Sequence, residues 1–145
     1  MQAAGPAEQN TEGPTHEILH PANWARARGY ANGVAASGRM VFLGGQVGWN
    51  AAQEFETDDF AGQVRQALEN IVTVLAEAGA QPHHLVRLTW FVTDREEYLR
   101  SLKEVGAAYR DVIGRHYPAM TLAEVRALAE PRAKVEIEAT AVVPG

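Results

Sequence analysis

Apolar positions along this chain fall into blocks whose spacing predicts helix and strand in alternation. Phe60, Val64, Leu68, Ile71 and Leu75 recur at intervals of four, four, three and four. That spacing puts all five on one face of a helix. Thr57, Asp58 and Asp59 supply a cap and negative charge at its start, and Gly79 supplies a stop. A second helix opens at Asp94-Arg95-Glu96-Glu97, where Asp94 can accept from the amide three residues on and Glu97 can reach back. Tyr98, Leu102, Val105, Tyr109 and Val112 form its expected buried stripe.

Strands are marked by a different rhythm. Leu85 to Val92 is rich in β-branched and aromatic residues and apolar on much of both faces, which suits a central strand. Val34-Ala35-Ala36 and Met40-Val41-Phe42-Leu43 flank Ser37-Gly38-Arg39, a pattern expected of a hairpin. The pair Gly44-Gly45 inside the second of these runs marks a bulge or a close backbone approach. Met120 to Val125 and Lys134 to Val143 are the last two strands. In the latter, Val135, Ile137, Ala139 and Ala141 alternate with Lys134, Glu136, Glu138 and Thr140.

The order predicts an α+β single domain: a mixed sheet with two helices packed on one face. The opposite face must be wetted or covered. The Met120 strand offers apolar residues to both sides, so a partner subunit over the sheet is a reasonable expectation. The domain is expected over residues 29–145. Residues 1–28 are expected to form a partly disordered tail, from Met1 to about Thr15, followed by an irregular strap from His16 to Arg28 that contains Pro21 and Trp24.

Composition narrows the function. The chain of 145 residues is 46% hydrophobic and 21% charged, which is ordinary for a soluble domain. A net charge of −5 gives no bulk support for nucleic-acid or membrane binding. The absence of cysteine excludes disulfides, thiolate zinc sites and a cysteine nucleophile, and fits the cytoplasm. No apolar run approaches ~18 residues, so no membrane span is expected, nor is a secretory signal.

Several segments carry a resemblance in order along the chain. They are Tyr30-Ala31-Asn32-Gly33-Val34, Val41-Phe42-Leu43-Gly44-Gly45-Gln46, Gln66-Ala67-Leu68-Glu69-Asn70-Ile71 and Leu75-Ala76-Glu77-Ala78-Gly79. Phe91-Val92-Thr93-Asp94, Tyr117-Pro118-Ala119 and Val135-Glu136-Ile137-Glu138-Ala139 complete the set. From about Tyr30 to Val143 the chain resembles the YjgF/RidA family, also labelled L-PSP endoribonuclease-like. The resemblance implies a chorismate-mutase-like fold, a homotrimer with three clefts between subunits, and a small-molecule ligand. It implies hydrolysis of reactive enamines or imines to keto acids and ammonia, with no metal or organic cofactor. In such members an arginine after Pro-Ala holds the substrate carboxylate, and a last-strand glutamate positions water.

Here Met120 falls where that arginine would be. Methionine has no donor with which to grip a carboxylate in two parallel hydrogen bonds. Losing such bonds costs roughly 1.5–3 kcal/mol each, so weak binding of the usual amino-acid-derived imines is expected. Gly106, Leu122 and Gly44 also depart from residues common at those positions, while Tyr30, Gly45 and Glu136 remain. A cleft that is larger and less polar follows.

Each candidate has a plainer alternative. Glu136 could act as a general base for water, or be a strand-face carboxylate paired with Lys134 or an arginine. Tyr30 could close over a ligand, or pack at an interface. Gly45 could offer an amide, or simply bend its strand. Leu122 shares a strand face with Met120, and Glu124 shares it too. Glu124 could line the cleft, but an interface ion pair suits it better. Arg26 and Arg28 could supply an anion anchor from the strap, although most arginines are simply exposed. Arg126 lies ~20 Å along its strand, too far to substitute. Adjacent His83 and His84 should diverge and hold no shared metal, and His116 suits a surface turn. Trp49 suits loop packing better than a ligand cap. The competing function is a non-catalytic small-molecule binder or stress-linked interaction protein. A ribonuclease has least support, because no basic stripe with interleaved aromatics is present.

Overall fold

A computed structural model describes residues 15–145. The tail expected over Met1 to about Thr15 lies almost wholly outside the described residues.

Nine elements follow in order: β1 (Glu17–Leu19), β2 (Gly33–Ala35), β3 (Arg39–Val47), α1 (Phe60–Glu77), β4 (Leu85–Val92), α2 (Arg95–Arg100), α3 (Leu102–Val112), β5 (Ala119–Glu124) and β6 (Val135–Val143). Four strands make the main sheet in the order β3-β6-β4-β5. Only β4 and β5 are parallel, so the sheet is mixed. β4 is an interior strand, as its two-sided apolar character requires.

Helix α1 follows its sequence pattern closely. Asp59 caps it, its carboxylate accepting from the Gly62 amide at 2.9 Å. All five residues of the predicted stripe are buried. They pack with Leu88, Trp90, Val135, Ile137 and Ala139 in one core between sheet and helices. Burying each large side chain contributes roughly 1.5–3 kcal/mol. Gly79 takes φ 69°, the left-handed turn expected of the stop.

Gln63 is the polar exception, a fully buried amide on α1. Its Nε2 donates to the Thr57 and Arg132 carbonyls, and its Oε1 accepts from the Lys134 amide at 2.9 Å. The side chain thereby ties the helix start to the entry of β6, with both N–H donors and the carbonyl oxygen bonded.

Three expectations are corrected. The strand at Gly33–Ala35 does not form a hairpin with β3; it pairs with β1 in a separate two-stranded sheet. The strap is therefore not wholly irregular. Second, the later helix is divided at Ser101, which departs from helical geometry with ψ 11° and ends α2. Leu102 consequently lies exposed, outside the stripe completed by Val105 and Tyr109. Third, the capping box at Asp94 is half made. Asp94 accepts from the Glu97 amide, but the Glu97 carboxylate turns to Lys134 Nζ at 3.0 Å.

Candidate functional site

The sheet has a helix-covered face and an open one, and chemistry-bearing residues lie on both. On β6 the odd-numbered residues Val135, Ile137, Ala139 and Ala141 are buried against the helices. Alternation puts Glu136 on the open face. Its neighbours across the ladders are Val47 on β3 and Phe91 on β4.

The bulge in β3 shapes this spot. The β3–β6 register shifts between Leu43 and Gln46, which spends Gly44 and Gly45 on the irregularity. A Cβ added at Gly45 would overlap the Glu136 carboxylate, whereas one at Gly44 would meet nothing. Gly45 is thus the residue that lets Glu136 lie flat on the backbone. Glu136 is half-buried, and its carboxylate has no hydrogen bond or ion pair among the described residues. The partner considered for it, Lys134, is taken by Glu97.

A second locus lies on the other side. Parallel pairing sets Met120 beside Leu88 and Leu122 beside Trp90, so both face the helix layer. The end of the strap runs over them. Ala31 bridges to Ala119, and its amide donates to the Pro118 carbonyl at 3.0 Å. Two residues earlier Gly29 takes φ 77°, a turn that a side chain would resist. The result is a hollow of about 330 Å³ lined by Arg28, Gly29, Tyr30, Trp90, Tyr98, Met120 and Leu122. That is the low end of the usual range for ligand cavities. Burial pushes the Tyr98 phenol above its ordinary value, so it stays a neutral donor.

Tyr30, Met120 and Leu122 are therefore brought together, and so are Gly45 and Glu136. The two groups are on opposite faces of one sheet. Glu124 joins neither. Its carboxylate accepts from the Arg95 amide at 2.8 Å, so it finishes the start of α2 instead of lining the hollow or making an ion pair. Arg28 does enter the hollow. His116 lies in the loop before β5 but is half-buried, its Nε2 donating to the Leu85 carbonyl at 2.8 Å. His83 and His84 do not diverge, because a tight turn brings their rings to 4.2 Å between centroids. Trp49 packs against Phe55, with 5.8 Å between ring centroids. Among the described residues, no group of three or more His, Asp or Glu is placed to hold a metal ion, and no helix is long and apolar enough to cross a membrane.

Sequence reading passed over Trp90 and Tyr98 as site residues. Trp90 shares a parity with Leu88 and Val92, which marks its face. That this face adjoins Met120 depends on the parallel pairing of β4 with β5, which no local signal specifies.

Comparison with known proteins places these features. The family described as Endoribonuclease L-PSP matches residues 21–143. The chain is a member of this YjgF/Rid family. Protein DfrA of Myxococcus xanthus is 37% identical over 112 residues, covering 73% of this chain and 78% of DfrA. The 2-iminobutanoate/2-iminopropanoate deaminase of Salmonella typhimurium is 34% identical over 116 residues, covering 78% and 86%. A solved Rid-family protein of unknown function, YyfB from Yersinia pestis, superposes with a TM-score of 0.78 at 31% identity, covering 88% of this chain and 98% of its own. The Rid match begins at Pro21, so most of the strap that closes the hollow lies inside the family match.

Proposed function

We propose that this Rid protein hydrolyses a C=N group, in an enamine or imine unlike the usual amino-acid-derived ones, at a site completed by a second copy of the chain. Relatives named as imine deaminases supply the reaction class. The observation that carries the reading is Glu136: a half-buried carboxylate without a partner among the described residues, lying in space that a side chain at position 45 would take. An unpaired, positioned carboxylate is suited to take a proton from water.

The chemistry balances without a cofactor. Glu136 takes a proton from water as the oxygen bonds to the imine carbon, the C=N π electrons pass to nitrogen, and Glu136 hands that proton to the nitrogen. The neutral carbinolamine then collapses: Glu136 takes the hydroxyl proton as the C=O bond forms and the C–N bond breaks, and passes it to the departing nitrogen, so ketone and ammonia leave. Tyr30 and the Gly45 backbone hold the ligand, and Met120 and Leu122 form its apolar wall.

Glu136 on the open face cannot serve a hollow on the helix face of its own sheet. A neighbouring subunit resolves this, its Glu136 meeting the first subunit's hollow. The same open face carries Met40 and Phe42, 57% and 71% exposed, an apolar pair suited to burial between copies. A homotrimer with three such clefts fits both facts.

The test is ammonia release from short enamines generated in situ. Glu136→Gln should lower the catalysed rate by ~10²–10⁴-fold, the usual share of a general base, with ligand binding kept. Equal rates for wild type, variant and buffer across several imines would remove the enzyme reading. Retained binding would then favour the alternative of a non-catalytic small-molecule binder, which the missing arginine at position 120 supports.

A further inference from the structure

All five histidines of the chain lie on the strap or where it rests. His16 Nε2 donates to the His84 carbonyl at 3.2 Å, and Thr15 Oγ1 and His83 Nδ1 share a bond of 2.8 Å. His116 lies under the same turn and bonds to Leu85. Nearer the hollow, His20 Nε2 donates to the Trp24 carbonyl at 3.3 Å and its Nδ1 accepts from Asn32 Nδ2 at 3.2 Å. Strands β1 and β2 pair with each other and stay outside the four-stranded sheet. Among the described residues, the backbone tie from this ribbon to the sheet is at Ala31, next to the hollow. The far end is latched by histidine side chains, so the ribbon can swing about Ala31 without breaking the main ladders.

The latch closes around neutral rings. The Gln81 backbone N–H donates to His84 Nδ1 at 2.9 Å. That donor cannot become an acceptor, so the one proton of this ring sits on Nε2. A second proton must enter at Nδ1 and break the bond that shapes the turn, and the turn carries both attachment points of the strap. Burial first, and then the charges of His83 and His16, hold His84 below its ordinary 6.5. Burial also lowers His116, against the bond to Leu85 and with the charges of His83, His16 and His84. No carboxylate acts on either ring. Glu17, beside His16, is exposed, and its side chain makes no ion pair among the described residues. Arg115 adjoins His116 as a further cation, and Tyr109, which donates to the His116 carbonyl, is kept neutral by burial. The docked strap therefore binds fewer protons than the released one. Docking is full above pH 6.5 and is lost as pH falls toward the lowered values.

We propose that the strap, with β1 and β2, is a pH-sensitive cover: latched at neutral pH, it swings about Ala31 in mild acid, withdraws Arg28 and Tyr30, and opens the hollow while the core stays folded. The movement does not depend on which reaction the hollow serves.

Hydrogen exchange of the full chain at about pH 7.5 and 5.5, corrected for intrinsic amide rates, tests it. Residues 16–35 should lose protection severalfold at the lower pH, while α1 and β6 change little. Peroxide gives a second reading. Met120 lines the hollow and should oxidise severalfold faster at the lower pH, whereas Met40, on the open face of the sheet, should react at one rate throughout. His84→Asn keeps an acceptor for the Gln81 amide and takes no charge, so it should hold both readings near their neutral values. His16→Ala removes the bond to His84 and should release the strap already at neutral pH. The wild-type comparison stands even where a variant fails to fold. Equal strap protection at both pH values, loosening of strap and core together, or a Met120 rate that only follows Met40 would each overturn the proposal. So would a folded His84→Asn chain that opens as wild type does.

Discussion

Gly45 is where the site is most sensitive to a single methyl group. Gly45→Ala puts a Cβ into the Glu136 carboxylate, so the carboxylate must swing off its seat. The atoms it meets belong to a flexible, half-buried side chain that can turn away, so the change should cost little stability. Turnover should fall by about the factor expected for Glu136→Gln, because both take the base out of action. The neighbouring Gly44→Ala is an internal control, since its Cβ meets nothing. It should leave thermal midpoint and rate unchanged. A matched loss in both alanine variants would mean that strand bending, and not the glutamate's seat, is what the glycine pair provides. At this scale the sequence was informative about residue type and silent about contact. The glycine pair announced a bulge, and alternation announced the face of Glu136. That Gly45 and not Gly44 lies under the carboxylate follows from the cross-strand register.

Among the elements, the strap has the least conventional attachment. Thr15 Oγ1 and His83 Nδ1 share a hydrogen bond of 2.8 Å, and His16 Nε2 donates to the His84 carbonyl at 3.2 Å. Beneath them His116 donates to Leu85, while its own carbonyl accepts from the Tyr109 hydroxyl. His84 and His116 are both held below the ordinary 6.5, chiefly by burial. Charge at His83 and His16 lowers both further, and the bond to Leu85 opposes the shift at His116 more weakly than burial drives it. The folded chain thus binds fewer protons than the unfolded one just below pH 6.5. Stability is full above that value and falls as pH drops toward the folded-state pKa values. The thermal midpoint should therefore decline by several degrees between neutral and mildly acidic buffer. His84→Asn keeps an acceptor for the Gln81 amide, which His84 Nδ1 now receives at 2.9 Å, and His116→Gln keeps a donor for Leu85. The double variant should flatten the decline; a slope equal to wild type would locate the acid sensitivity elsewhere. None of this joint was legible beforehand, since it links residues far apart in sequence. The α1 stripe was legible in full because its five residues share one local period. The hairpin failed for the opposite reason. A turn signal at Ser37-Gly38 states that the chain bends there, but β6 comes between other strands only when the whole sheet assembles.

For the whole molecule, the decisive fact is that one chain holds its hollow and its carboxylate on opposite faces of a single sheet. No movement of side chains crosses a hydrogen-bonded sheet, so catalysis by this pair requires association. Phe42 offers the cleanest lever. It is 71% exposed on the open face, pairs with Thr140 in the ladder, and contributes nothing to the core. Phe42→Asp should therefore leave the fold intact by circular dichroism. A desolvated carboxylate in a subunit interface is strongly unfavourable, so in size-exclusion chromatography with light scattering the variant should run as a monomer and the wild type as the trimer proposed above. Turnover should disappear with the trimer. Binding of a small ligand in the hollow should weaken less, because Tyr30, Trp90, Met120 and Leu122 all belong to one copy. Separating the two losses identifies which half of the cleft each copy supplies. A monomeric variant that still released ammonia at the wild-type rate would show that Glu136 is not the base, whatever its seat on Gly45.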